Sequence, residues 1–423
     1  MAKIESFNAI HYNPDVIDEV SKVVCPPYDI IDAKEQEELY QRHPYNYIRL
    51  ILGKDFAGDT EVENKYKRAA GYIEEWLRRN ILIQEAQPGI YFYEQVFTIE
   101  GKRKSRLGFM ALMRLDEEGQ DKKTIYPHEH THQAPKEDRF KLMKCVEANL
   151  SPIFTIFSDT EKFTQGIFEK KVKPVLKPLF DITDWMGIEH RLWSVNEKSL
   201  IEDIKEFMKD KDIFIADGHH RHEVAKWFRD YKRQNSPAAF KDSYNYIMTF
   251  FTPLEDDGLC VLPTHRLLKN VHFNPESLSS CFLIKEVDSK DALVKEMEEK
   301  KDEVGVFGLY QNNKFTLLKI SEKRECNRFI QEGPKEYKNL DVVILHKVIF
   351  DNFLKIQLPQ IQYEVDLDTA IASVDQKVHD ALFILNPTKI EQIESIALGG
   401  EVMPQKSTYF YPKLMSGFLI HKF

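Results

Sequence analysis

Five consecutive residues, Asp217-Gly218-His219-His220-Arg221, bring together groups suited to holding an anion: a glycine, two imidazoles and a guanidinium. They follow Ile213-Phe214-Ile215-Ala216, a short apolar run that reads as a buried strand. They precede Val224, Ala225, Trp227, Phe228 and Tyr231, whose spacing gives a helix one apolar face. A strand that turns through glycine into a helix leaves N–H groups beyond the reach of the helix's own carbonyls, at the positive end of its dipole. Phosphate suits such a place, with His219, His220 and Arg221 adding donors and charge. Asp217 could instead be a simple helix cap. Basic residues in a first turn oppose the dipole, however, and cost a few tenths of a kcal/mol each unless an anion compensates. A zinc reading through His219 and His222 lacks a third ligand.

A second stretch with chemistry starts at Pro127, which breaks regular structure ahead of His128-Glu129-His130-Thr131-His132. A carboxylate beside a histidine suits removal of a proton from an attacking hydroxyl, which nominates Glu129 and His128. His128, His130 and His132 would share one face of an extended segment, the geometry of a metal triad. Pro135 then precedes a helix expected from Lys136 to about Asn149, on which Lys136 and Arg139 stand one turn apart and could both face a phosphate. Near the end, Lys406-Ser407-Thr408 offers an ammonium and two hydroxyls, and Tyr409, Phe410 and Tyr411 could anchor the segment. It reads as a strand of chain returning to the active site. At the other end, Pro26-Pro27-Tyr28-Asp29 is stiff and donor-poor, a pocket wall or a domain-edge turn. Pro263-Thr264-His265-Arg266 reads as a surface loop.

The Asp217–Arg221 turn resembles the strand–turn–helix of the ParB/sulfiredoxin-like superfamily, in which it holds nucleotide phosphates. Its Asp-Gly-His-His-Arg form is similar to that of the free-serine kinases of archaea. The rest of the chain resembles the family filed as domain of unknown function 1015. The shared pieces occur in order: Pro26-Pro27-Tyr28-Asp29; Pro127-His128-Glu129 with Thr131; Lys136 with Asp138-Arg139; the turn; and Lys406-Ser407-Thr408-Tyr409-Phe410-Tyr411-Pro412-Lys413. The resemblance implies a nucleotide-binding protein that works as an ATP- or ADP-dependent kinase of a small hydroxyl metabolite, with free serine as acceptor. In that reading Gly218, His219, His220 and Arg221 hold phosphate oxygens, and Asp217 orients the turn or a Mg²⁺ ion. Glu129 acts as base with His128, while Lys136, Arg139 and Lys406 stabilise developing charge. No residue is assigned to a resident metal. The absence of a Walker loop sets aside the P-loop mechanism. One alternative is a non-catalytic, nucleotide-gated regulator of the partition-protein type, which predicts a helix-turn-helix and a basic face. A second is a metal-dependent hydrolase built on the histidines.

The elements needed to position these groups imply a mixed α/β fold (α+β in places), with a ParB/sulfiredoxin-like core and further α+β regions. The expected divisions are an N-terminal region at 1–120, the core at 121–270 and a C-terminal domain at 271–423, within the size range for separate cores. Helices are expected at 34–43, 62–80 and 198–209. A hairpin is expected from Ile90 to Leu115 about Glu100-Gly101, with strands at 151–158, 189–195 and 244–254. Of the 423 residues, 42% are hydrophobic and 30% charged, ordinary for a water-soluble protein. A formal charge of -9 argues against nucleic acid as a partner. No apolar run approaches a membrane span, and Met1 to Ile10 lacks a signal-peptide pattern, so a cytoplasmic protein acting on a small molecule is expected. Five scattered cysteines, never in C-x-x-C spacing, read as reduced thiols.

Overall fold

A computed structural model describes residues 2–117, 123–129, 131, 133–321 and 328–423. His130 and His132, and with them the expected histidine triad, lie outside the described residues. The chain divides into two compact units. The first is Met1–Tyr126, Thr131–Leu259 and Pro412–Phe423, and the second is Pro127–His130 and Cys260–Tyr411.

The first unit is built on a nine-stranded mixed sheet. Its strands are β1 (Ile4–Glu5), β2 (Ile90–Ile99), β3 (Lys102–Arg114), β4 (Ile125–Tyr126), β5 (Ile153–Phe157), β6 (Phe180–Thr183), β7 (Glu189–Val195), β8 (Ile213–Asp217) and β9 (Tyr246–Pro253). They run in the order β4-β8-β5-β9-β3-β2-β7-β6, with β1 added beside β3. Stretches expected on either side of residue 120 therefore share one sheet. The β2–β3 hairpin closes Ile99 on Lys102, and its turn residues Glu100 and Gly101 both have positive φ (50° and 72°). That is the turn whose twist matches a right-twisted strand pair.

β8 sits between parallel β4 and antiparallel β5. With neighbours on both edges, its Ile213–Ala216 run is buried without the alternation of a half-exposed strand. The β5 register slips by one residue between Ile215 and Asp217, a bulge that re-aims Asp217 as the strand reaches the turn.

Helices α1 (Ala33–Arg42), α2 (Lys65–Arg78), α3 (Gln133–Val146), α4 (Lys198–Met208) and α5 (His219–Asn235) complete the part that matters for the site. α3 begins at Gln133, ahead of Pro135, because a proline in the first turn forfeits no intrahelical bond. It packs on α5 through Phe140, which meets Trp227 and Tyr231 edge-on at centroid distances of 6.2 and 5.8 Å.

The second unit carries a six-stranded antiparallel sheet. Its order is Phe282–Val287, Lys314–Ile320, Val306–Gln311, Ala381–Ile384, His265–Leu268, Ile361–Glu364. Leu293 and Met297 of one helix and Ala370 and Val374 of another close its core. The expected loop at Pro263–Arg266 is corrected here: His265–Leu268 is a buried strand. Its two polar residues hid it, since they interrupt the apolar run by which an inner strand is recognised. Among the described residues, no helix is long and apolar enough to cross a membrane.

Candidate functional site

The turn is organised by Gly218, the residue before α5, at φ +94°. That backbone is open to glycine and strained for any other residue. The helix's first internal bond, from the His222 N–H to the Gly218 carbonyl, measures 3.0 Å. A Cβ at 218 would lie 3.0 Å from Cζ, Nε and Nη2 of Arg221, so the missing side chain also leaves room for the guanidinium to fold back over the turn. There Nη2 donates to Asp217 Oδ2 at 2.6 Å and Nη1 to the carbonyl of Pro152. The other oxygen of Asp217 accepts from Lys413 Nζ at 2.7 Å. Side-chain exposure of 13% for Arg221, 18% for Asp217 and 11% for Lys413 makes this a shielded cluster. Asp217 thus ties Arg221 and Lys413 together at the turn. His219 is buried and His220 half-buried in the first turn beyond it.

Arg139, buried on α3, donates from Nε at 2.8 Å and from Nη2 to Asp138, and from Nη1 to the carbonyl of Ile51. Its guanidinium lies 4.2 Å from the centre of the Tyr28 ring. Burial, then Asp29, raises the Tyr28 phenol to about 12, against the opposing charges of Arg139 and Arg221. Asp138 also accepts from the Tyr66 hydroxyl at 2.7 Å. Burial alone would raise its carboxyl, but Arg139, Tyr66 and Lys65 bring it below the ordinary range. Tyr28, Arg139 and Arg221 all line one pocket, which opens to solvent. The Pro26-Pro27-Tyr28-Asp29 segment thus supplies a pocket wall.

Lys136, one turn earlier, points elsewhere. Its Nζ donates to Glu223 of α5 at 2.7 Å, and Thr131 Oγ1 donates to the same carboxylate at 3.0 Å. Burial pushes Glu223 up, but Lys136 and Thr131 outweigh it and keep the carboxylate ionised. Sequence reasoning passed over both Glu223 and Lys413. No spacing or motif in the sequence marks Glu223 as a partner of Lys136, although it stands only two residues past Arg221. Lys413 closes the C-terminal motif and was readable as part of it, not as a partner of Asp217.

The remaining expected residues belong to the second unit. His128 is buried, and its Nε2 lies 3.2 Å from Thr408 Oγ1. Glu129 bridges to Met403, whose N–H donates to the His128 carbonyl at 2.7 Å. Lys406 has φ +58°, and its carbonyl accepts from Arg266 Nη2 at 3.1 Å. Burial lowers the fully enclosed Arg266 to about 10, with Tyr363 and Glu129 opposing the fall. The motif pieces are therefore shared out. The first unit joins Lys136 to Glu223 and the turn to Lys413, and the second joins His128 and Glu129 to the 403–408 segment.

A model of the family described as "Protein of unknown function (DUF1015)" matches residues 4–343, most of the chain. The chain belongs to the DUF1015 family. No curated protein matches it. Among solved structures, a free serine kinase in complex with AMP is 14% identical at a TM-score of 0.34, over 68% of this chain and 83% of that one. A conserved hypothetical protein from Pyrococcus furiosus is 15% identical at 0.35, over 70% and 92%. SbnI with C-terminal truncation from Staphylococcus aureus is 9% identical at 0.36, over 74% and 87%. Overlaps this loose do not fix a function for the DUF1015 chain.

Among the described residues, no group of three or more His, Cys, Asp or Glu side chains could hold a metal ion. Cys25 is buried, which pushes its thiol well above the usual range and away from nucleophilic use. The Asp217 hub gives a first expected result for this DUF1015 protein. Asp217→Asn leaves Arg221 and Lys413 facing each other across a neutral amide, and stability should fall by about 1–3 kcal/mol. The urea midpoint measures it, and an unchanged midpoint would remove the hub from the description.

Proposed function

We propose that this DUF1015 protein binds a nucleotide at the Asp217–Arg221 turn and transfers its terminal phosphoryl group to a small hydroxyl-bearing metabolite. The observation that carries the proposal is Gly218 in the left-handed region at the head of a 17-residue helix, with the Arg221 guanidinium folded over it. Such a turn supports phosphate binding in three ways. Its backbone admits an oxygen where a Cβ would stand, the helix dipole favours negative charge, and the nearby guanidinium donates in a fork. Arg221 has five N–H groups and spends one on Asp217 and one on Pro152, so donors remain. His219 and His220 add imidazoles in the first turn, and Lys413 adds charge beside Asp217.

ATP or ADP is the donor in this reading, and the residues fit its phosphates. They do not form a cage for Mg²⁺, because both Asp217 oxygens are engaged by cations. The ion would travel on the nucleotide's own phosphates. Free serine is the acceptor suggested by the form of the turn.

The test is phosphoryl transfer from ATP and from ADP, with Mg²⁺, to serine and a panel of hydroxyl metabolites, in wild type and Arg221→Ala. Transfer should fall by roughly 10²–10³ in the variant, as when one preorganised donor to a developing charge is removed. Equal transfer in both proteins would sink the assignment. Nucleotide binding with no transfer to any acceptor would favour the gated regulator.

A further inference from the structure

The cavity that Arg139 and Arg221 line has a wall that the phosphate site does not use. Leu142, Met143 and Val146 of α3 face it together with Leu150, Val224 and Ile247, all aliphatic or thioether. Two of its polar wall atoms are already engaged. The Asn149 side-chain carbonyl accepts from the Met248 N–H at 2.9 Å, and Ser151 Oγ pairs with Ser416 Oγ at 2.7 Å. None of the lining residues is acidic. An α-ammonium group would thus find no carboxylate there, and a purine edge would find few groups to bond.

The charged part of the lining has the opposite bias. Arg139 spends three of its five N–H groups on Asp138 and Ile51, which leaves two. Tyr28, stacked on that guanidinium, keeps its phenol proton at neutral pH and can donate as well. Two guanidinium groups and a phenol on an otherwise aliphatic cavity match a ligand with one acid group and a hydrocarbon body.

We infer that the cavity takes an aliphatic acid, its carboxylate on Arg139 and Tyr28 and its chain against Met143, Val146 and Val224. As the acceptor of the reaction above, on which this assignment of role rests, the ligand is an aliphatic hydroxy acid, in place of the free serine that the form of the turn alone suggests. Arg221 stands on both the cavity and the phosphate turn, and so lies where acceptor and donor would meet.

Calorimetry with acetate, butanoate, hexanoate, 2-hydroxyhexanoate and L-serine tests this, with inorganic tripolyphosphate as a separate probe of the turn. Affinity should rise about fourfold per added methylene, the ratio that corresponds to about 0.8 kcal/mol. L-serine should bind at least tenfold more weakly than butanoate. Met143→Trp, at the half-buried edge of the wall, should flatten the series while tripolyphosphate binding persists. If that variant fails to fold, Arg139→Gln should weaken hexanoate at least tenfold in its place. A flat series in the wild type, or serine binding as tightly as butanoate, overturns the inference while tripolyphosphate binding leaves the phosphate turn standing. A chain-length series without tripolyphosphate binding does the reverse: it keeps the acid cavity and removes the phosphate turn. Failure of both probes removes both.

Discussion

Gly218→Ala should lose at least tenfold in nucleotide affinity and about 1–3 kcal/mol of stability, the cost of an unfavourable backbone region for a residue with a Cβ. The two losses have separate causes. The strain arises because alanine is held at φ +94°. The affinity loss arises because the new methyl would lie 3.0 Å from the Arg221 guanidinium, the far end of a flexible side chain that can swing away. In doing so it would give up Asp217 and Pro152, so the fold survives while the seat for the phosphate does not. Gly101→Ala is the matched control. Gly101 also has positive φ (72°), but nothing stands within 4 Å of its absent Cβ. Its variant should show the backbone cost alone, with nucleotide affinity unchanged. Urea denaturation and calorimetry separate the two, and normal affinity in Gly218→Ala would move the phosphate away from this turn.

Acid should destabilise both units well before the carboxylates of the unfolded chain are protonated. Burial holds His222 and His346 at about 3, and His265 and His421 at about 4, so all four are neutral in the folded protein. The unfolded chain takes up those protons near pH 6.5 and the folded one does not. With more protons bound in the unfolded state, stability rises with pH across this window, and is lost as pH falls below about 6.5. Each histidine costs roughly 1 kcal/mol between pH 7 and 5.5, or about 4–5 together.

Two buried carboxyls act the other way. Burial raises Asp256 to about 6 and Asp341 to about 7, so the folded protein binds their protons more readily and gains on acidification. They offset roughly 2 kcal/mol over the same range, leaving a net loss of about 2–3. Melting temperature as a function of pH measures this. His222→Gln should reduce the slope between pH 7 and 5.5, and a profile flat across that range would contradict the buried neutral histidines.

The strand, turn and helix around Gly218 were legible in the sequence because every signal for them is local. The apolar run before the turn, the glycine and the apolar spacing after it all lie within twenty residues, and β8 and α5 form where that pattern places them. The Glu100-Gly101 hairpin was legible for the same reason. What periodicity cannot carry is pairing between distant segments. Nothing in Ile125-Tyr126 says that it lies parallel to β8, and nothing in Lys413 says that it reaches Asp217. Nor does proximity along the chain guarantee membership of one unit. His128 and Glu129 belong to one unit, while Lys136 and Arg139, within a dozen residues, belong to the other. Arg266 misled in a different way: an arginine normally marks the surface, but here backbone carbonyls of Thr264 and Lys406 accept from it and it stays enclosed.

The most direct test of the central claim is melting temperature with ATP and with ADP, each with Mg²⁺, for wild type and Arg221→Ala. A nucleotide present at 100 times its dissociation constant stabilises the native state by about 2.7 kcal/mol, a shift of several degrees. The account predicts that shift in the wild type and none in Arg221→Ala. No shift with either nucleotide in the wild type, or the same shift in the variant, would contradict it.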